Sequence, residues 1–347
     1  MNSPKLLAML SIQPPICGDE ALLRLAQARL AEAGLGGELY PDSPEHLAML
    51  MAYRPDGQAS TAHLPRDVDL LSDAGQSVIC DYAICAAGEL YGILVHDQKV
   101  FETQPQATVL AFEEVERRLQ GITKAPLLFV EYAAGLPLEF FATLFEQTAA
   151  LEHVCAAIDV SHVAIHCCRQ TYAAQQQGDD VCALRPDSPE LMDRIAAVQA
   201  AVASAKAAVV ELVQRLARLR KPLHLHLHDG HPLSTLSAFG VSDHLSFLQH
   251  IRIPFPYQDR QLLAGIFGIS GLRALMRAAM TELTADHLSC LLEIHPQEGR
   301  SPLGEHAHLF SHWEDKYFAE RMNYWLDRLL DNGVLLRDAC ALSLRSG

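Results

Sequence analysis

The segment Leu223-His-Leu-His-Leu-His-Asp229 sets three imidazoles at alternate positions of what reads as one strand. Alternate side chains of extended backbone share a face, so His224, His226 and His228 point one way and the leucines the other. Other extended stretches end in the same chemistry. Glu131 closes an apolar run from Leu127, where an isolated carboxylate would be costly unless paired or bound to metal. Asp159 and His162 close Ala157-Ile-Asp-Val-Ser-His162, and Glu293 and His295 close the run from Cys290. His96 ends Gly92-Ile-Leu-Val-His, and His63 ends Thr61-Ala-His. A lone buried histidine is usually a hydrogen-bonded core residue, but a recurrence at successive strand ends points to metal ligation. Carboxylate oxygens mixed with imidazole nitrogens suit Zn, Mn, Fe or Co rather than Ca or an all-thiolate site. The expected ligands are Glu131, Asp159, His162, His226 and Glu293. His228 competes with His226, because it points the same way and lies nearer the strand end.

Such residues need a frame that brings strand ends together. Apolar runs read as strands at Leu6–Ile12, Gly37–Tyr40, Thr61–Leu64, Tyr91–His96, Leu127–Tyr132, Val154–Ile165, Leu223–Asp229 and Cys290–His295. Segments of helical period lie between them, at Asp19–Ala33, Thr108–Leu119, Leu138–Glu152, Ser188–Arg220, Asp259–Leu283 and Trp313–Leu330. Another helix opens at Ser43-Pro-Glu-His, with Ser43 as N-cap and Pro44 in the first turn. Strands alternating with helices in this number predict a (β/α)8 TIM barrel, one domain over residues 1–347, whose site lies at the C-terminal ends of the strands. The long Ser188–Arg220 helix and the roughly sixty residues between the seventh and eighth strands are expected as elaborations after strands 6 and 7. That helix, rich in Ala and Val, either packs a second copy of the chain or thickens the barrel wall.

Composition bounds the function. The chain has 347 residues and a net charge of −15, from 27 Lys and Arg against 42 Asp and Glu. So acidic a surface repels phosphate backbones, and no basic patch offsets it, which argues against a nucleic-acid substrate and leaves a small molecule. Nine cysteines without a CxxC pair read as reduced thiols of a cytoplasmic protein. No apolar run is expected to reach the ~18 residues needed to span a membrane.

The ordered set Glu131, Asp159-Val-Ser-His162, His226-Leu-His-Asp229 and Glu293 resembles the xylose isomerase-like superfamily of TIM barrels, over about Leu127 to His295. That superfamily includes sugar isomerases and epimerases, inosose dehydratase-like proteins and endonuclease IV. The resemblance implies that the two Glu, the Asp of DxxH and the His of the HxxD strand hold a divalent metal. His63 and His96 resemble the histidines with which endonuclease IV-like members hold additional zinc ions; in one-metal isomerases a histidine there contacts substrate instead. Asp229-Gly-His231 resembles that branch's later DxH element, although it follows His226 more closely in this chain. The spacing from His162 to His226 is wider than is usual for the superfamily. Arg169 and Arg300, after the sixth and eighth strands, are candidates for binding an anionic substrate.

The resemblance leads first to a metal-dependent isomerase or epimerase acting on a sugar, sugar acid or polyol through an enediolate, with Glu131 and Glu293 as base and acid. The alternative is a hydrolase with two or three ions, in which His63, His96 and His231 are candidates to add ligands and a small phosphoester is cleaved; His228 and Asp229 are further candidates for contact with metal or substrate. Iron would point to redox chemistry, and a barrel without metal would be a binding protein. The expected number of ions, one to three, separates these readings.

Overall fold

The computed structural model describes residues 4–9, 20–54, 57–133, 135–184, 189–230, 236–237, 240–241, 244, 246–247, 265–294 and 319–345. Eight parallel strands close on one another in chain order. They are β1 (Lys5–Met9), β2 (Gly36–Leu39), β3 (Ser60–His63), β4 (Gly92–His96), β5 (Leu127–Tyr132), β6 (Val154–Asp159), β7 (Leu223–Leu227) and β8 (Leu288–Leu292). The chain is a TIM barrel, as its alternating pattern predicts. Register runs unbroken where the site is built: Thr61 lies beside Glu38, His63 beside Leu94, and His96 beside Glu131.

The helices are α1 (Glu20–Glu32), α2 (Pro44–Met51), α3 (Asp73–Ala86), α4 (Val100–Thr103), α5 (Pro105–Gln120), α6 (Leu138–Gln147), α7 (Val160–Gln175), α8 (Pro189–Ala217), α9 (Gly268–Glu282) and α10 (Ala319–Arg345). Their apolar spacing explains them. Helix α1 buries Leu23, Ala26 and Leu30, and α5 buries Ala111, Phe112, Val115 and Leu119, one stripe each. The hydroxyl of Ser43 accepts from the His46 amide at 3.1 Å, so Ser43 and Pro44 start α2 as expected. Such a cap contributes about 1 kcal/mol.

Contacts divide the chain into two compact units. The first comprises Met1–Ile158, Arg215–His226 and Glu282–Leu292, and holds the strands except for the last residues of β6 and β7. The second comprises Asp159–Gln214, Leu227–Thr281 and Glu293–Gly347.

Several expectations need correction. The extended run expected over Val154–Ile165 breaks at Asp159, and α7 begins at Val160. Asp159 is the N-cap: its Oδ1 accepts from the amides of Ser161 and His162 at 3.0 and 2.9 Å. His162 therefore sits in the first turn of a helix, not on a strand. Helices α3 and α7 have no counterpart in the sequence pattern as read above. Arg169 follows the sixth strand as expected and belongs to α7. Helix α8 is, by length and composition, apolar enough to cross a membrane, contrary to the expectation that no run approaches that length. A soluble core helix passes the same test, and α8 buries Val198, Ala201, Ala205, Val209 and Leu212 along one face.

Candidate metal centre

Side chains on non-neighbouring strands of a barrel can touch only through its lumen. In the first unit, Glu38 of β2 meets His224 and His226 of β7, and Glu131 of β5 meets His63 of β3 and His226. These residues therefore face inward, as the alternation in β7 requires. Leu94, Phe129, Cys155 and Ala157 pack as an apolar cluster. Gly92 makes room for the Phe129 ring: a Cβ there would lie 2.5 Å from Cε2 of that ring. Phe129 in turn stands 5.1 Å from the ring of His224.

The first ligand set is His63, His96 and Glu131, whose donor atoms lie within 4.8 Å of one another. His63 Nε2 is 2.7 Å from Glu131 Oε2, and its Nδ1 is 3.0 Å from the carbonyl of Leu64. That carbonyl fixes the ring so that Nε2 faces the carboxylate, the arrangement expected of a metal-ligating imidazole. Tyr40 stacks on His63 with centroids 5.4 Å apart. His96 Nε2 and His226 Nδ1 approach the Glu131 carboxylate at 3.6 and 3.4 Å. Burial would raise the Glu131 pKa, but His226, His96 and His63 hold it well below the usual range. Burial would likewise lower that of His63, and Glu131 and Glu38 outweigh it.

The second unit holds its own set. Asp159, His228, His244 and Glu293 place donor atoms within 4.8 Å of one another, and His162 groups with the same two histidines. His228 Nε2 lies 2.9 and 3.0 Å from the oxygens of Asp159, while its Nδ1 is 3.1 Å from the Asp229 carbonyl. This repeats the geometry of His63. Burial works against charge on His228, yet Asp159 pushes its pKa up to about 9. His244 stacks on His228 at 4.0 Å, with its Nδ1 3.0 Å from the Glu293 carbonyl and 3.7 Å from Oε2. Both ring nitrogens of His162 are buried without a hydrogen-bond partner, although Nε2 lies 3.4 Å from Asp159 Oδ2. A buried polar atom left unpaired costs about 1–3 kcal/mol, and ligation of a cation satisfies it. The donor sets thus fit N/O-preferring divalent metals in both units.

The predicted ligands divide between the units. Glu131, His226, His63 and His96 belong to the first, and Asp159, His162, His228 and Glu293 to the second. Asp229 has another task. Its carboxylate accepts from the amides of Gly230, Phe267 and Gly268 at 2.9, 2.9 and 2.8 Å, tying the seventh strand's exit to the start of α9. Burial pushes its pKa up to about 6 against those three bonds. A Cβ on Gly265 would lie 2.0 Å from Asp229 Oδ2, so the chain needs glycine there. Arg169 pairs with Asp180 and lines a surface groove of about 400 Å³ with His166 and Gln170. His231 and Arg300 lie outside the described residues.

Two residues of the candidate ligand sets, Glu38 and His244, were not foreseen from the sequence. Glu38 sits in Gly36-Gly-Glu-Leu39, where alternation sets it on one face with Tyr40; a carboxylate inside a short buried strand was the available signal. His244 follows Gly240-Val-Ser-Asp, away from any periodic element, and carries no such signal.

No protein-family model matches the chain, and no curated protein matches it. Solved structures do. The carboxyl transferase domain of Rhizobium etli pyruvate carboxylase with 3-bromopyruvate is 13% identical, with a TM-score of 0.39, over 98% of this chain and 48% of that one. The complete multifunctional pyruvate carboxylase from Rhizobium etli is 12% identical, with a TM-score of 0.39, over 96% of this chain and 28% of that one. The chain therefore spans about half the length of that carboxyl transferase domain, 48%. The barrel stands on its own strand order.

Proposed function

We propose that this chain is a divalent-metal hydrolase of a small phosphoester or similar ester, holding at least two ions. One ion would sit at His63, His96 and Glu131, the other at Asp159, His228, His244 and Glu293 with His162. The observation that carries this reading is that each unit holds a ligand set of its own. A one-metal isomerase or epimerase acting through an enediolate is the second reading. The xylose isomerase-like kinship, in its endonuclease IV-like branch, is part of the same proposal, since His63 and His96 are the residues that distinguish that branch. The net charge of −15 points to a small substrate rather than a nucleic acid.

When bound, such ions activate water and polarise the ester oxygen. The chain's own residues do the rest. The carbonyls of Leu64 and Asp229 orient His63 and His228 toward their carboxylates. Asp159, fixed by the first turn of α7, keeps its carboxylate in place without rotamer freedom. Glu293, 8% exposed, is the carboxylate of its set with most access to solvent and is suited to move a proton at the scissile oxygen.

The experiment is hydrolysis of a panel of nitrophenyl phosphate mono- and diesters by protein loaded with Zn, Mn or Fe. Turnover that disappears on chelation and in Glu293→Gln supports the proposal. Turnover that survives chelation contradicts it, and interconversion of sugars without ester cleavage restores the isomerase.

A further inference from the structure

A third set of donors lies deeper in the first unit's lumen. Thr61 and His224 stand two residues before His63 and His226 on β3 and β7, and Glu38 occupies the same layer on β2. Glu38, His224 and His226 have no exposed surface, 0% each. Glu38 accepts from the Tyr40 hydroxyl on Oε1 at 2.9 Å and from the Thr61 hydroxyl on Oε2 at 2.7 Å. His224 Nε2 faces Oε2 at 3.5 Å, and His226 Nε2 faces Oε1 at 3.7 Å.

Those separations are too long for charge-assisted hydrogen bonds, which close to about 2.7–2.9 Å. Two donors each ~2.1 Å from one tetrahedral ion stand about 3.4 Å apart. The Glu38 contacts match ion sharing. His224 Nε2 is buried with no hydrogen-bond partner, while its Nδ1 is held 2.7 Å from the Ser289 hydroxyl. That is an oriented imidazole presenting its free nitrogen to a carboxylate. Tyr40 and Thr61 bring dipoles to Glu38 but no charge, so the positive charge facing this buried carboxylate is left to His224 and His226 or to an ion they hold.

We propose that Glu38, His224 and His226, the last through Nε2, hold a further divalent ion of the zinc class. With no exposed face, the set leaves no room for substrate, so the ion is structural. It ties β2 to β7, strands that are not neighbours in the barrel. The proposal does not depend on the hydrolase reading.

The test is anomalous diffraction at the zinc edge from crystals of zinc-saturated full-length protein, with metal counting on the same material. The expected result is a peak ~2.0–2.2 Å from Glu38 and from Nε2 of both histidines. His224→Gln and Glu38→Gln should each lose one zinc per chain and keep the ions at the other two sets. A zinc-saturated wild-type map with no peak between Glu38 and His224 overturns the proposal. So does a His224→Gln variant that retains the wild-type zinc count. Should either variant fail to fold, the wild-type map decides alone. Peaks absent from the other two sets would count against the hydrolase reading and leave this site to be judged separately.

Discussion

The Nε2 of His228 sits astride the carboxylate of Asp159, 2.9 Å from one oxygen and 3.0 Å from the other. Asp159 therefore serves two tasks, capping α7 and anchoring the second unit's ligand set. Asn caps a helix about as well as Asp but carries no charge to offer a metal. Asp159→Asn should lower zinc affinity of that set at least ~10-fold, as loss of a charged ligand does, and the metal-free protein should lose stability through the buried His228 pair while the helix cap, about 1 kcal/mol, is kept. Chelator-competition titration and urea unfolding measure the two quantities. Unchanged zinc affinity would remove Asp159 from the ligands.

His244 stacks on His228 and touches Glu293, so it belongs to the same set. His244→Ala should weaken zinc binding in the second unit by ~10–100-fold and leave the ion at His63, His96 and Glu131 in place. Metal counting after dialysis against a weak chelator reads this as loss of one ion. Retention of every ion would show that His244 is only a packing residue.

Asp229 is a structural hub. Asp229→Ala strands three amides, two of them buried, and the expected loss is about 3 kcal/mol. Asp229→Asn keeps an acceptor at the Oδ1 position, which serves Gly230 and Phe267, and should cost only about 1–2 kcal/mol. Urea midpoints of the two variants check the ranking. An alanine variant as stable as the wild type would contradict this bracing role.

Glu116 supplies a pH signature. Burial raises its pKa, but the His153 ring and the backbone amides of His153 and Val154 more than offset this, and the net direction is downward. A carboxyl with a lowered folded pKa contributes stability above the unfolded value, about 4.3, and loses it as pH falls through the folded value. Glu116→Gln should therefore be less stable than wild type at about pH 7, by ~1–2 kcal/mol, with the gap narrowing below about pH 4. Urea unfolding across that range tests it; a gap that widens in acid would contradict the assignment.

Much of this was legible in the residues. Strict alternation in Leu223–Leu227 is enough to set the histidines inward, His63 and His96 end their strands as expected, and Glu131 lies one residue before the end of its own. The run around Asp159 misled, because Val160, Val163, Ala164 and Ile165 are as apolar as a buried strand. The cap that breaks it is a tertiary fact, since the same carboxylate must also face His228. Asp229 read as a ligand because a carboxylate beside histidines resembles one; its partners, Phe267 and Gly268, are far along the chain and invisible to local pattern. His244 was hidden for the same reason: only the folded chain sets it against His228.

The central claim is that more than one ion is bound, and counting metal answers it directly. Protein saturated with zinc, freed of loose metal and measured by mass spectrometry should carry at least two ions per chain. One fewer should remain in His63→Gln and in His228→Gln, because the two belong to separate sets. A single ion in the wild type, lost equally in both variants, would contradict the account and return the chain to the one-metal reading.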